Sequence, residues 1–91
     1  MEPKKYRSIP TVVEAMRFTE EDAPDVVAWA NGKVDYTEPA DREDDAIGGV
    51  FDDLHSSWIS VYPGQWIIKG TKGEFYPCDP EVFAQKYEEV Q

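Results

Sequence analysis

A chain of 91 residues with a net charge of −10 and an apolar fraction of 41% has the size and composition of one small folded domain. It is too rich in aromatic residues for a disordered segment, and its single cysteine excludes an internal disulfide. No apolar run approaches the roughly 20 residues that a membrane span needs. We therefore expect a single domain over residues 1–91, in the cytoplasm, without membrane association.

The negative charge is concentrated in the middle of the chain. Residues 19–53, which we call the acidic middle segment, contain twelve acids against two bases, hence a net charge of −10, whereas the remaining residues contain seven of each. A field of this sign repels phosphate backbones and attracts basic protein surfaces. The sequence therefore predicts no direct nucleic-acid binding and a basic protein surface as the partner.

The first predicted elements are a strand over residues 11–18, which are rich in β-branched and apolar side chains, and a helix that follows it. Asp22 is the expected N-cap of this helix, and the Asn-Gly pair after Ala30 predicts its end. Val26, Trp29 and Ala30 fall on one face of the helix. We expect the helix to dock through Trp29.

Further along, polar connections alternate with short apolar runs. Residues 33–49 are acidic and lack periodicity, which predicts a mobile surface loop. Residues 50–51 and 58–62 predict the two strands of a hairpin. Residues 66–69 and 74–76 predict two more strands, which continue an antiparallel meander.

Two turns and a closing helix complete the predicted order. A type II turn is expected around Gly64 and a second turn at residues 70–73. The closing helix begins after Asp79 and should pack on the sheet through a stripe that includes Phe83 and Tyr87. The sequence thus predicts an α+β fold, in which a small antiparallel β-meander sheet has one helix after the first strand and a C-terminal helix packed on it.

The candidate binding surface is formed by acids in and after the predicted loop. These acids are Asp41, Glu43, Asp44, Asp45, Asp52 and Asp53. They lack the ordered spacing and the glycine position of a calcium loop, so no metal is predicted. We interpret them as a solvated surface that binds a partner.

A second candidate site is a pocket between the meander and the closing helix, lined by Trp66, Tyr76 and Cys78. Cys78 precedes a helix, where a thiol can act as a nucleophile, and His55 is the only histidine. No local signature joins these two residues, so the sequence predicts neither a catalytic residue nor a cofactor. The tryptophans are interpreted as core residues, with Trp58 and Trp66 forming a cross-strand pair.

Two stretches of the chain have a recognisable pattern: Lys5-Tyr6-Arg7 with Pro10 and residues 12–15 (VVEA), and PGQWIIKG with KGEFYPC over residues 63–70 and 72–78. On these residues the chain resembles a family of small tailed-phage and prophage accessory proteins. The resemblance covers both ends of the chain and leaves out residues 19–57. It implies an origin in a phage or prophage and expression in a bacterial host cytoplasm, and it supplies no catalytic residues.

The charge and the resemblance lead to one functional hypothesis and two alternatives. The chain is expected to be a non-enzymatic accessory protein that binds a host or phage macromolecule through its acidic surface. One alternative is a nucleic-acid mimic that inhibits a host DNA-binding defence enzyme or polymerase. The other is a small-ligand-binding protein or hydrolase that uses the pocket near Trp66. We expect a monomer or a homodimer, since edge strands can pair.

Overall fold

The computed structural model describes residues 2–90 and has the predicted α+β architecture, with one helix after the first strand and a second helix at the C-terminal end. In chain order the elements are β1 (Glu14–Arg17), α1 (Ala23–Ala30), β2 (Val34–Tyr36), a 3₁₀ turn (Pro39–Asp41), β3 (Gly48–Asp52), β4 (Ser57–Val61), β5 (Trp66–Lys69), β6 (Phe75–Cys78) and α2 (Pro80–Lys86). In this described range, no helix has the length and apolar content to cross a membrane.

The strands are divided between two antiparallel three-stranded sheets, with the orders β1-β5-β6 and β2-β3-β4. The change of sheet takes place at the turn between β4 and β5. After this turn the main-chain oxygen of Gln65 accepts a hydrogen bond from the Phe18 amide at 2.8 Å, and the Phe18 oxygen accepts one from Gly64 at 2.9 Å. These bonds pair β5 with β1 instead of β4, so the predicted meander is split over two sheets.

A single hydrophobic core lies between the two sheets and α1. Its buried members are Phe18, Ala23, Val26, Ala30, Val34, Ile47, Val50, Val61, Ile67 and Phe75. Both sheets, the helix and the connections contribute side chains to this cluster. Neither sheet therefore buries its inner face without the other.

Helix α1 docks much as the sequence predicts. Asp22 occupies the N-cap position, although its carboxylate accepts a hydrogen bond from the Thr19 hydroxyl at 3.2 Å and caps no helical amide. Trp29 packs edge-on against Phe75, with ring centroids 5.2 Å apart, and its indole donates to Glu14 Oε1 at 3.0 Å. Trp29 thus covers the edge of the core with its ring, while its indole N–H forms a hydrogen bond at the surface.

The prediction of a loop over residues 33–49 is wrong at both ends. Strand β2 pairs with β3, Val34 is fully buried, and Ile47 is 1% exposed. The amide of Thr37 donates to the Ile47 oxygen at 2.9 Å and extends the ladder past β2. The isolated apolar residues show no local period because their partners lie across the sheet. The connection is irregular only over residues 38–46, where it contains the 3₁₀ turn.

Both predicted glycine turns are confirmed. Gly64 has φ of +88°, and the Gln65 amide donates to the Tyr62 oxygen at 3.1 Å, as a type II turn requires. Gly73 has φ of +83°, and its amide donates to the Gly70 oxygen at 3.0 Å. Each turn connects two strands, and the positive φ angles are ones that glycine adopts without strain.

Helix α2 packs on the outer face of the β1-β5-β6 sheet. The Phe83 ring stacks on Trp66 with centroids 4.2 Å apart and planes 7° from parallel. Ile68 is also fully buried and lies outside the core between the sheets, since neighbouring side chains along β5 point to opposite faces. The helix ends at Lys86, earlier than the predicted stripe, because Tyr87 is extended.

Candidate functional site

The six acids of the predicted binding surface lie at the two ends of β3 instead of in one cluster. Asp41, Glu43, Asp44 and Asp45 belong to the β2–β3 connection, whereas Asp52 and Asp53 lie at the end of β3 and in the turn that follows. An antiparallel strand rises about 3.4 Å per residue, which separates the two ends of β3 by about 14 Å. The acidic surface therefore extends along the β2-β3-β4 sheet.

The acids at the far end of β3 are both engaged within the fold, Asp53 with a base that precedes β2 and Asp52 with its own turn. Asp53 accepts a hydrogen bond from Lys33 Nζ at 2.6 Å. Asp52 Oδ2 lies 2.5 Å from His55 Nδ1, within hydrogen-bonding distance. Asp52 Oδ1 accepts a hydrogen bond from the Leu54 amide at 2.9 Å. The hydrogen bond with His55 is the main reason that the pKa of Asp52 lies below its ordinary value. Asp52 thus orders the β3–β4 turn and Asp53 ties this turn to the start of β2, so both carboxylates are less available to a partner.

The acids of the β2–β3 connection are more available. Asp44 accepts a hydrogen bond from the Ala46 amide at 2.9 Å, which fixes a local turn. Asp41, Glu43 and Asp45 are exposed, and within residues 2–90 their carboxylates accept no hydrogen bond. The charge that a partner can use is therefore concentrated in this connection.

Arg42 fixes the connection to the rest of the fold. Its guanidinium lies 2.6 Å from Glu20 Oε1, donates to the Thr37 oxygen at 3.0 Å and donates to the Tyr36 hydroxyl at 3.0 Å. The Glu20 carboxylate raises the pKa of Arg42 above its ordinary value. With its side chain only 17% exposed, Arg42 holds the acidic connection in place.

The outer face of the β2-β3-β4 sheet has a depression of about 230 Å³ that we call the tryptophan depression, lined in part by Asp35, Gly49 and Trp58. Trp58 is 50% exposed and packs edge-on against Phe51, with centroids 5.4 Å apart. The predictions that Trp58 is a core residue and pairs with Trp66 are wrong. The chain changes sheets between β4 and β5, so the two tryptophans lie on different sheets.

A second concavity, which we call the aromatic groove, has a volume of about 380 Å³ and lies beside α2. It is lined by residues 11–13, Ala15, Trp66, Phe83 and residues 87–90. The rings of Trp66, Phe83 and Tyr87 form a continuous stack along it, with a distance of 5.0 Å between the last two centroids. Sequence reasoning assigned Phe83 and Tyr87 to packing alone, although their i, i+4 spacing was a signal for a shared aromatic wall.

One of the three predicted pocket residues lines this groove. Trp66 forms part of its wall, while Tyr76 and Cys78 lie on the same face of the sheet outside the lining. Burial, followed by the influence of the neighbouring Tyr87 hydroxyl, raises the pKa of Tyr76 to about 12. Tyr76 therefore remains a neutral phenol at physiological pH.

The environment of Cys78 favours a protonated thiol. Burial raises its pKa above the ordinary value, and Sγ donates to the Asp79 oxygen at 3.6 Å. His55 lies in the β3–β4 turn of the other sheet and contacts Asp52. The structure does not place Cys78 and His55 in one site, and nothing in residues 2–90 groups three or more His, Cys, Asp or Glu side chains in a way that could hold a metal ion.

The chain matches no family model, no curated protein and no solved structure. Its candidate sites are therefore defined by their geometry. One is the acidic β2–β3 connection with the tryptophan depression beside it, and the other is the aromatic groove beside α2.

Proposed function

We propose that this chain is a non-enzymatic phage or prophage accessory protein that binds a basic surface of a host or phage protein through its acidic middle segment. The observation that carries the proposal is the pairing of charges within that segment. Lys33 and Arg42, its two bases, are both engaged with carboxylates of the fold. The exposed acids of the β2–β3 connection have no such partner among residues 2–90, so their charge remains available for binding.

The way the acids are held also favours binding. Arg42 anchors the connection through Glu20, Thr37 and Tyr36, so a partner does not have to order a flexible loop. Exposed ion pairs contribute about 0–1 kcal/mol each, so several must form together. Because salt screens such pairs, the complex should form at low ionic strength and dissociate at high ionic strength.

The test is capture of binding proteins by the tagged chain at low and high salt, followed by mass spectrometry. Two variants with the same net charge of about −6 make the test specific. The first carries Asp41→Asn, Glu43→Gln, Asp44→Asn and Asp45→Asn. The control carries Glu2→Gln, Glu81→Gln, Glu88→Gln and Glu89→Gln, all at exposed positions outside the acidic middle segment.

A basic partner that is captured at low salt, lost by the first variant and retained by the control is the expected result. The proposal is contradicted if both variants retain the partner. It is also contradicted if the wild-type chain captures as much partner in about 1 M salt, where charges are screened, as it does at low salt. If the partner is a DNA-binding enzyme, competition with duplex DNA for the same surface indicates nucleic-acid mimicry.

The aromatic groove supports a second candidate function, the binding of a small apolar ligand. Its volume of about 380 Å³ lies within the range of roughly 300–1,000 Å³ that ligand pockets occupy. A metabolite that raises the melting temperature of the wild-type chain, but not of Phe83→Ala relative to its own baseline, would support this function. Cys78 lies outside the lining of the groove, and the raised pKa of its thiol does not favour a thiolate nucleophile for hydrolysis.

A further inference from the structure

Both bases of the acidic middle segment are bound in the same way, over an aromatic ring and against a carboxylate. Lys33 Nζ lies 4.8 Å from the centroid of Phe51 and 2.6 Å from Asp53 Oδ1. Arg42 repeats the arrangement, with its guanidinium carbon 5.5 Å from the Tyr36 centroid and its Nη1 against Glu20. A ring and a carboxylate together offer a cation both a quadrupole and a charge.

The tryptophan depression contains a third ring and carboxylate, those of Trp58 and Asp35. Asp35 pairs with Gly49 and Gly49 with Ser60, two residues from Trp58, so the alternation of the strands places both side chains on the outer face. Both line the same cavity of about 230 Å³. In the part of the chain that the structure describes, no Lys or Arg side chain lies over the Trp58 ring, and the indole Nε1 donates no hydrogen bond.

Gly49 gives the depression its depth. It has no side chain, and a Cβ built there would lie 3.4 Å from Trp58 Cε3 and 3.4 Å from the Ile59 oxygen. The depression also lies between the two acidic groups at the ends of β3. A basic segment that contacts the acids of the β2–β3 connection and continues along β3 therefore passes over Trp58.

We propose that the tryptophan depression binds one arginine side chain of the basic partner, an inference that rests on the proposed function. A planar guanidinium stacks on the Trp58 indole and directs its forked N–H donors to the Asp35 carboxylate. Lysine offers a point charge without this planar fit, so arginine is preferred over lysine. The charge of the acidic middle segment supplies the complementarity that brings such a side chain to the sheet.

The test is a titration of the ¹⁵N-labelled full chain with acetyl-Gly-Arg-Gly-amide at low salt, followed by ¹H–¹⁵N NMR. The matched probe contains citrulline, which has nearly the same shape without the charge. The Trp58→Phe variant assigns the indole signal among the three tryptophans. The arginine peptide should shift the Trp58 indole and the Gly49 amide, and the citrulline peptide should leave both in place.

Two variants and one control locate the site. Asp35→Asn should weaken arginine-peptide binding about two- to fivefold, since it removes one exposed ion pair. Gly49→Ala should weaken it as well, because the added methyl fills the depression at ordinary contact distances. Asp25→Asn removes the same charge from an exposed position on α1 and should have less than about half of the Asp35→Asn effect.

Equal effects of Asp35→Asn and Asp25→Asn, or shifts confined to the β2–β3 connection, would overturn this inference. With either result, salt-sensitive capture that depends on residues 41–45 would still support the proposed function. Conversely, the NMR titration could show specific arginine binding at Trp58 while the capture experiment finds no salt-sensitive partner. That combination would support the tryptophan depression as an arginine site and refute the proposed function.

Discussion

The two neighbouring glycines of β3 should respond differently to alanine. A Cβ at Gly48 would overlap the main-chain oxygen of Asp35 and lie 3.1 Å from Phe18 Cζ, whereas the nearest atoms to a Cβ at Gly49 are 3.4 Å away. Neither glycine has a positive φ, so both positions accept an L-residue conformation. The two substitutions therefore differ in steric fit and not in backbone strain.

The loss of stability in Gly48→Ala depends on how far β2 must shift. Relief of the overlap at Gly48 requires β2 to shift away from β3, which costs about 1–3 kcal/mol as overpacking and about 1 kcal/mol for a weakened ladder hydrogen bond. Reduced entropy of the unfolded chain returns about 0.4–1 kcal/mol. We expect Gly48→Ala to lower the free energy of unfolding by about 1–3.5 kcal/mol and the melting temperature by roughly 4–28 °C. For Gly49→Ala we expect a change within about 1 kcal/mol of zero.

Thermal and urea unfolding of both variants and the wild-type chain, followed by circular dichroism, measures the difference. Equal stability of Gly48→Ala and the wild type would show that β2 does not approach β3 as described. Equal destabilisation by both substitutions would refute the assignment of Gly49 to an open depression, and with it the use of Gly49→Ala as a folded test variant.

Three further predictions concern residues in or beside the two candidate sites. Arg42→Met should speed amide exchange across the β2–β3 connection and lower the melting temperature by about 5 °C, since it removes the hydrogen bonds and ion pair that hold the connection; unchanged exchange would contradict this role. Phe83→Ala should cost about 1.5–3 kcal/mol and shift Trp66 emission to the red, because α2 loses its stacking contact; an unchanged spectrum would refute α2 docking through this pair. The pKa of Tyr76, raised to about 12 from 10, means that the unfolded chain loses this proton first, so the contribution of Tyr76 to stability is complete below pH 10 and is lost as pH rises towards 12. Tyr76→Phe should remove this part of the alkaline stability loss, and absorbance titration of Tyr87→Phe should show a lower pKa for Tyr76.

Local signals predicted the elements whose structure depends on neighbouring residues. The turn at Gly64 follows from its need for positive φ, and the start of α2 from the Asp-Pro pair at residues 79–80. The face of α1 follows from its helical spacing. By contrast, β2 gave no such signal, because Val34 is apolar in isolation and is stabilised by pairing with Val50 across the sheet.

The candidate sites were less predictable for the same reason. The sequence identified the acids by composition, and it placed Trp66 at the wall of a groove beside the closing helix. It did not indicate that Asp35 and Trp58 share a depression, since 22 residues separate them and the register of two strand pairs brings them to one face.

By itself the sequence determined the α+β class, the excess of negative charge in the middle of the chain, and the turns and helix ends that glycine and proline dictate. The tertiary structure alone decided that the strands divide into two sheets, that Trp58 is exposed, and that residues 34–36 form a strand paired with β3. The physical reason is that a turn or a helix cap is fixed by a few consecutive residues, whereas strand pairing joins distant residues whose register depends on the core that they bury together.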